Sequence, residues 1–187
     1  MNVIKFITLI LALILVLGVV GISGCTDLAN QTNNYSKNNI SFNYPYTWNQ
    51  GDTNYLLKGE IVAVVDPNST NPDKAIVNDK ASTSVIIGKK SLSQGSTLQS
   101  YYNALVKQGH EYQGYKRISN RKFTLNGQPA YELIYTAKLD NNKLGKSREV
   151  LLERNGKVYD ISCRSLADDF NKSAANFDMI INSFKVQ

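Results

Sequence analysis

The pattern of apolar and polar residues divides the chain into three parts. A continuous apolar run, Phe6–Ile22, follows a short, positively charged start. The next segment, Thr26–Asn39, is rich in Asn, Thr and Ser and offers a core almost nothing to bury. Beyond it, apolar residues recur with the periods of strands and helices. We therefore expect an export signal peptide over residues 1–24, a flexible tether over 25–39 and one folded domain over 40–187.

Alternating apolar and polar residues predict the strands of the domain. Ile40, Phe42 and Tyr44 alternate with polar residues and predict a first strand. Two more predicted strands, Tyr55–Pro67 and Thr83–Leu92, enclose a long polar loop. Later in the chain, two Asn-Gly dipeptides each separate a pair of strand-like segments, and this dipeptide favours a tight hairpin. The hairpins centred on Asn126-Gly127 and Asn155-Gly156 predict an antiparallel meander.

Two segments have the apolar periodicity of a one-faced helix. The first carries Leu98, Tyr101, Tyr102, Leu105 and Val106, with Ser96 and Gln99 as a predicted capping box and Gly109 as the expected end. The second carries Phe170, Ala174, Phe177 and Ile181. Strands in hairpins with helices between and after them predict an α+β domain. Its helices would cover the faces of an antiparallel sheet.

The charge of the chain narrows the choice of partners. The formal net charge is +6, but the basic residues are scattered and no run reaches the five or more like charges of a nucleic-acid-binding tail. We therefore expect no nucleic-acid partner. A weak preference for acidic surfaces or anionic headgroups remains compatible with this charge.

The end of the apolar run predicts where the protein is held. Ile22-Ser23-Gly24-Cys25 resembles the lipobox of prokaryotic lipoproteins, in which a branched apolar residue and two small residues precede the lipid-bearing cysteine. This resemblance implies cleavage before Cys25 and a lipid on its thiol. The alternative is an uncleaved apolar anchor, although the run is short for a membrane span. Both place the domain outside the cytoplasmic membrane. Asn-x-Ser/Thr sequons at Asn30, Asn34, Asn39, Asn68 and Asn171 would then be glycan acceptors in a host that glycosylates them.

The sequence holds little that predicts catalysis. His110 is the only histidine and follows a predicted helix end, where a solvated side chain is expected rather than a metal ligand. Cys163 shares a strand face with Tyr159 and Ile161, so we expect a buried, unreactive thiol. No Gly-x-Ser-x-Gly, His-Glu-x-x-His or phosphate-binding glycine loop occurs. We predict no catalytic residue, no cofactor and no metal site.

The loop Asp66–Lys80 is the predicted partner contact, because long loops without secondary structure in compact domains are usually functional or disordered. Its candidate residues are Asp66, Asp73 and an apolar tip formed by Ala75, Ile76 and Val77. The alternative is that this tip packs on the core or adds a short strand. The loop lacks the glycine and glutamate of an EF-hand, so only weak divalent binding by Asp66, Asp73 and Asp79 remains open. A second candidate is an exposed aromatic cluster of Tyr44, Tyr46 and Trp48, against which ordinary strand packing is the simpler account.

Several short stretches from Ile40 to Val186 resemble, in order and spacing, the PsbP family of extrinsic photosystem II proteins and their relatives. They are "NYPYTW", "IVAVVDP", "LNGQPAYELIYTA", "NGKVYDISCRS" and "INSFKV". The resemblance implies an α/β/α sandwich around a central antiparallel sheet, and a non-catalytic domain that docks on a larger membrane assembly. A tryptophan of the last loop and the long arm of photosynthetic members are missing, so the photosystem role is not carried over. A hydrolase, or a protein that binds a small ligand or divalent metal, is the alternative.

Overall fold

The computed structural model describes residues 31–69, 82–139 and 142–187. The strands are β1 Thr32–Lys37, β2 Ile40–Pro45, β3 Asn49–Gln50, β4 Glu60–Val65, β5 Ser84–Ser91, β6 Lys116–Leu125, β7 Gln128–Lys138, β8 Leu144–Arg154, β9 Lys157–Leu166 and β10 Lys185–Val186. The helices are α1 Leu98–Gly109 and α2 Ala174–Ser183, with a short 3-10 turn at Thr53–Tyr55. The fold is the predicted α+β class.

A seven-stranded sheet forms the centre of the domain, in the order β3-β4-β5-β9-β8-β7-β6, and every neighbouring pair is antiparallel. The two predicted hairpins join β6 to β7 and β8 to β9. At both turns the Asn and the Gly have positive φ, with Asn126 at 48° and Asn155 at 54°. This conformation matches the twist of the flanking strands. The predicted meander is confirmed.

One face of this sheet, called the α2 face, carries most of the apolar core. Helix α2 and a small sheet of order β1-β2-β10 cover it. Phe177 and Ile180 of α2 are fully buried there together with Phe42 of β2 and Ile161 of β9. Because three elements close over one sheet face, this side of the domain excludes water from large aromatic and branched side chains.

The opposite face, called the α1 face, has a smaller apolar cluster. Leu98 and Tyr102 of α1 pack against Leu133, Leu151 and Val158 of the sheet. Helix α1 begins at a capping box in which the Thr97 hydroxyl accepts from the Ser100 N–H and the Ser100 hydroxyl accepts from the Thr97 N–H. The predicted capping pair Ser96–Gln99 was one residue early, although the apolar face of the helix is as predicted.

The predicted tether is wrong over its second half. Thr32–Lys37 is strand β1, which pairs with β2 across the turn at Asn38–Asn39. Tyr35 is its one buried side chain, and its ring stacks on Phe42 at 5.1 Å between centroids. A single aromatic anchor and a full backbone ladder are enough to order a strand whose other residues are polar. The first part of the tether and the signal peptide lie outside the described residues.

Two predicted elements begin later than expected. The strand predicted from Tyr55 starts at Glu60, since Thr53–Tyr55 forms a 3-10 turn capped by the Asp52 carboxylate. The second helix starts at Ala174, so Phe170 lies in the preceding turns and still reaches the core. In the part of the chain that the structure describes, no helix combines the length and apolarity needed to cross a membrane.

Candidate functional site

The structure describes only the first four residues of the predicted partner loop, Asp66–Ser69. The Asp66 carboxylate accepts a hydrogen bond from the Asn68 backbone N–H at 2.9 Å, and its own N–H donates to the Thr83 carbonyl. Asp66 therefore shapes the turn that leaves β4. Asp73, Ala75, Ile76 and Val77 lie outside the described residues, as does Cys25. Partner binding by this loop stays a prediction.

The side chains considered for chemistry lie apart from one another. Cys163 is fully buried on the α2 face, as predicted, and burial raises the pKa of its thiol well above the usual value. His110 is exposed just after α1, with its ring 4.7 Å from that of Tyr115. Within residues 31–69, 82–139 and 142–187, no group of three His, Cys, Asp or Glu side chains is close enough to hold a metal ion.

The proposed aromatic cluster does not form an exposed patch. Tyr44 and Trp48 are buried in the α2-face core, and the Trp48 ring meets Phe177 edge to face at 6.2 Å. Only Tyr46 is exposed. Strand packing, the simpler account, explains two of the three aromatic side chains.

Strand β6 forms a basic edge, defined here as Lys116, Arg117, Ile118, Arg121 and Lys122. It is the last strand of the seven-stranded sheet, and all its residues from Lys116 to Lys122 are exposed. The strand contains four cationic residues and no acidic one. The register with β7 places Arg117 and Lys122 on the α1 face, and Lys116 and Arg121 on the α2 face. Positively charged side chains therefore lie on both faces of the sheet at this edge.

Two features of the basic edge favour contact through side chains. A register shift between Arg117 and Ser119 leaves Ile118 out of regular pairing, and a bulged, charged edge is poorly suited to accept another strand. Lys122 lies over the Tyr131 ring at 5.0 Å, which holds its aliphatic stem against the sheet. Arg121 donates to the buried Glu132 carboxylate at 2.8 Å, yet more than half of its side chain stays exposed. The edge is a pre-positioned row of cations.

A second surface feature is a pocket of about 150 Å³, called the tyrosine–arginine pocket. It lies on the α1 face beyond the end of helix α1. Its lining includes Tyr112 from the turn after α1, Tyr135 of β7, Ser147 of β8 and Arg164 of β9, with Ala137 and Leu139 as apolar wall. The Tyr112 and Tyr135 rings lie nearly parallel with 6.4 Å between centroids. The pocket thus joins a flat apolar wall to a guanidinium.

Arg164 is held rigidly and stays charged. Its Nε donates to the Ser162 hydroxyl at 2.7 Å, which fixes the plane of the guanidinium. Burial lowers the pKa of Arg164, but nearby acidic groups, first Glu149, more than offset that effect and raise it overall. Among the described residues, its two terminal nitrogens have no hydrogen-bond or ion-pair partner.

Close to Arg164 lie two carboxyl groups, those of the buried Glu149 and the half-buried Asp160. Burial and the neighbouring Glu149 carboxylate raise the pKa of Asp160 well above its usual value. A second carboxylate nearby disfavours ionisation, so Asp160 holds its proton more tightly than a free carboxyl group does. The Tyr135 hydroxyl donates to Glu149 Oε1 at 3.2 Å, and burial, together with Glu149, raises the pKa of Tyr135 far above 10.

Sequence reasoning missed this pocket, although a signal was present. In β9, Asp160, Ser162 and Arg164 alternate with Tyr159, Ile161 and Cys163. Such alternation is typical of a strand with one solvated face. The structure instead covers the polar positions, because α1 and the turn after it close over them. A polar strand face facing a predicted amphipathic helix would have indicated a buried polar site.

The family comparison covers nearly the whole chain. A family model described as "PsbP-like protein" matches residues 8–186. None of the curated proteins compared with the chain matches it significantly.

Solved structures with the same fold come from bacteria. The solution structure of cyanobacterial PsbP (CyanoP) from Synechocystis sp. matches with a TM-score of 0.59 at 17% identity, over 91% of this chain and 100% of that one. The crystal structure of LpqN, described as involved in cell envelope biogenesis of Mycobacterium tuberculosis, matches with a TM-score of 0.60 at 13% identity, over 83% of this chain and 90% of that one. At these identities the likeness concerns the fold.

Proposed function

The chain belongs to the PsbP-like protein family, and we propose that it is a lipid-anchored, non-catalytic binding domain that docks on a larger membrane-associated partner. In this proposal a lipid on Cys25 holds the domain at the outer face of the cytoplasmic membrane. Members of the family are generally non-catalytic. LpqN is involved in cell envelope biogenesis, and a role at the cell envelope is compatible with such a placement.

The observation that carries the proposal is the basic edge. Its four cations lie on one exposed strand and extend over roughly 20 Å, from Lys116 to Lys122, at the usual rise per strand residue. A row of positive side chains complements an acidic surface on a protein partner, and such complementarity gives specificity and a faster association rate. The contact would depend on ionic strength, because exposed charges are screened beyond about 8 Å at physiological salt.

Crosslinking on intact cells tests the docking surface. A photo-crosslinking amino acid in place of the exposed Ile118 of the full chain should give one discrete covalent product, to be identified by mass spectrometry. Reversing three edge charges, K116E/R117E/K122E, should lower its yield by about tenfold or more. The control K37E/K58E/K157E makes the same change of net charge at exposed lysines elsewhere and should keep the yield. Equal losses in both variants would contradict the proposal.

Two further experiments distinguish the basic edge from the other candidate contacts, the loop and the lipid headgroups. Replacing Asn68–Asn78 by a short Gly-Ser linker removes the predicted loop contact; if this change alone abolishes crosslinking, the loop is the docking surface. Protein-free anionic vesicles test the lipid headgroups. If the purified protein binds them through Lys116, Arg117 and Lys122, the edge recognises the membrane and not a protein.

The anchor is tested on native protein. We expect a mature chain that begins at Cys25, carries a lipid there and partitions into detergent. Cys25→Ala should release the domain or leave the precursor uncleaved. A native chain that retains Met1–Gly24, or one without lipid mass, would contradict lipidation while leaving the docking experiment intact.

A further inference from the structure

The tyrosine–arginine pocket has the parts of a small-ligand site, separate from the basic edge. Its volume of about 150 Å³ corresponds to on the order of ten water molecules, since one water needs roughly 10–15 Å³ of such space. A rigid organic molecule of similar size fits this space. The pocket is open at one side beside Tyr112, which is 44% exposed and forms its rim.

The charge of the pocket selects an anion. The two terminal nitrogens of Arg164 are the groups that a carboxylate binds in a bidentate manner, and the bond from Nε to Ser162 already fixes their plane. Lys138 adds positive charge to the lining, whereas the Lys146 ammonium lies on the other face of the sheet, over the Phe170 ring. The acidic side chains of Glu149 and Asp160 lie close enough to the guanidinium to interact with it electrostatically. They partly neutralise Arg164, so the pocket favours a monoanion over a dianion.

The remaining walls of the pocket favour a ligand whose uncharged part is planar and apolar. The nearly parallel Tyr112 and Tyr135 rings, with Ala137 and Leu139, form a flat apolar surface next to the guanidinium. Flat rings bind such surfaces through their faces and edges. Ligand sites typically combine an apolar wall with a few fixed polar groups in this way.

We propose that the tyrosine–arginine pocket binds a small organic monocarboxylate, with its carboxylate on Arg164 and its planar apolar body against Tyr112 and Tyr135. The proposed ligand in the cell is a free metabolite of about the size of benzoate. The proposal does not depend on the docking function, because no residue of the basic edge lines the pocket.

The test uses the purified full-length protein in detergent and 4-fluorobenzoate as the probe, observed by fluorine NMR. We expect saturable broadening or shift of the probe at millimolar concentration. The neutral 4-fluorobenzamide and the dianionic 4-fluorophenyl phosphate have the same ring, and each should bind about tenfold more weakly or less. No saturable binding of 4-fluorobenzoate, or equal binding of the amide, overturns the proposal. Tighter binding of the phosphate overturns the assignment of a monocarboxylate.

Matched variants locate the site. R164Q should weaken 4-fluorobenzoate binding by about tenfold or more, whereas R154Q, which removes an exposed arginine from the adjacent strand, should leave it unchanged. Circular dichroism checks that the variants fold. Tyr112→Ala changes only the exposed rim, so it tests the site even if R164Q is unfolded, and it should weaken binding at least about threefold. Unchanged affinity in Tyr112→Ala, or in a folded R164Q, contradicts the assignment.

Discussion

The two faces of the central sheet differ in the side chains that they bury. The α2 face is mostly apolar, with the ion pairs of Glu132 and Arg148 as its polar part. A helix and a small sheet close it, and Phe42, Phe177 and Ile161 are fully buried there. The α1 face is covered by one helix, and beside its small apolar cluster it encloses Glu149, Asp160 and Arg164. Both faces belong to the same strands, since neighbouring residues of β9 point to opposite sides.

This difference assigns stability mainly to one face of the sheet and ligand recognition to the other. Apolar burial is the main favourable term in folding, and the α2 face supplies most of it. Buried charged groups are costly unless they are paired, so those of the α1 face contribute little net stability and indicate another role. We infer that the α2 face holds the domain together, which allows the α1 face and the basic edge to carry binding groups. Four substitutions test this comparison, three that weaken the fold and one that strengthens it.

The largest loss is expected for Phe177→Ala. The ring is fully buried between Trp48 and Phe170, and its removal leaves a cavity that the rigid sheet cannot fill. Such substitutions cost about 3–5 kcal/mol. Denaturant unfolding measures the loss. Leu98→Ala, on the α1 face, is the control and should cost less, because Leu98 is 8% exposed and packs in the smaller apolar cluster. Equal losses in the two variants would show that the two faces contribute equally to stability.

A smaller loss is expected for Glu132→Gln. This buried carboxylate accepts from Arg121 at 2.8 Å and from Arg148 at 2.6 Å, while Arg148 also donates to Asp178 of α2. Removing the charge leaves Arg148 partly uncompensated in the interior, at a cost of about 2–3 kcal/mol. Glu153→Gln, in the neighbouring strand β8, is the control with no such pairs among the described residues. Unfolding midpoints that do not differ between the two variants would show that the network is dispensable.

A loss of about 1–2 kcal/mol is expected for Cys163→Ala, through lost contacts and a small cavity on the α2 face. The native thiol should react slowly with a thiol reagent, because it is fully buried and burial raises its pKa. Binding of the partner should not change. Rapid labelling of the folded protein, at the rate seen in denaturant, would refute this assignment.

Asp160→Asn should strengthen the fold at neutral and basic pH. Because the pKa of Asp160 is raised in the folded state, the folded protein keeps a proton that the unfolded chain loses above about pH 4. Stability of the parent protein therefore falls as the pH rises from that value through the folded-state pKa. Asparagine cannot ionise, so the variant should lack this fall.

Denaturant unfolding at pH 4, 6 and 8 measures this pH dependence, and the exposed Asp168→Asn serves as the control. Asp160→Asn should be more stable than the parent at pH 8, and their difference should shrink toward pH 4. Parallel pH profiles of the two proteins would show that Asp160 is not held protonated by its surroundings.

Local features of the sequence determined much of this fold. Asn-Gly at positions 126–127 and 155–156 predicted both hairpins, because positive φ at two consecutive residues suits a tight turn. The apolar spacing of Leu98 to Val106 predicted the face of α1, and the alternation around Cys163 predicted its burial. These features depend on residues close in sequence, which is why periodicity reveals them.

Only the tertiary structure decided the remaining features. Strand β1 has a polar sequence and is ordered by the ladder with β2, so composition indicated a tether there. The antiparallel register brings Tyr135 and Arg164 together across β8, and the turn after α1 adds Tyr112. The protonation of Asp160 likewise depends on burial in the folded domain and on Glu149, its neighbour but one across the sheet. Each of these features depends on contacts between residues that are far apart in sequence. Such contacts form only when distant segments of the chain pack together.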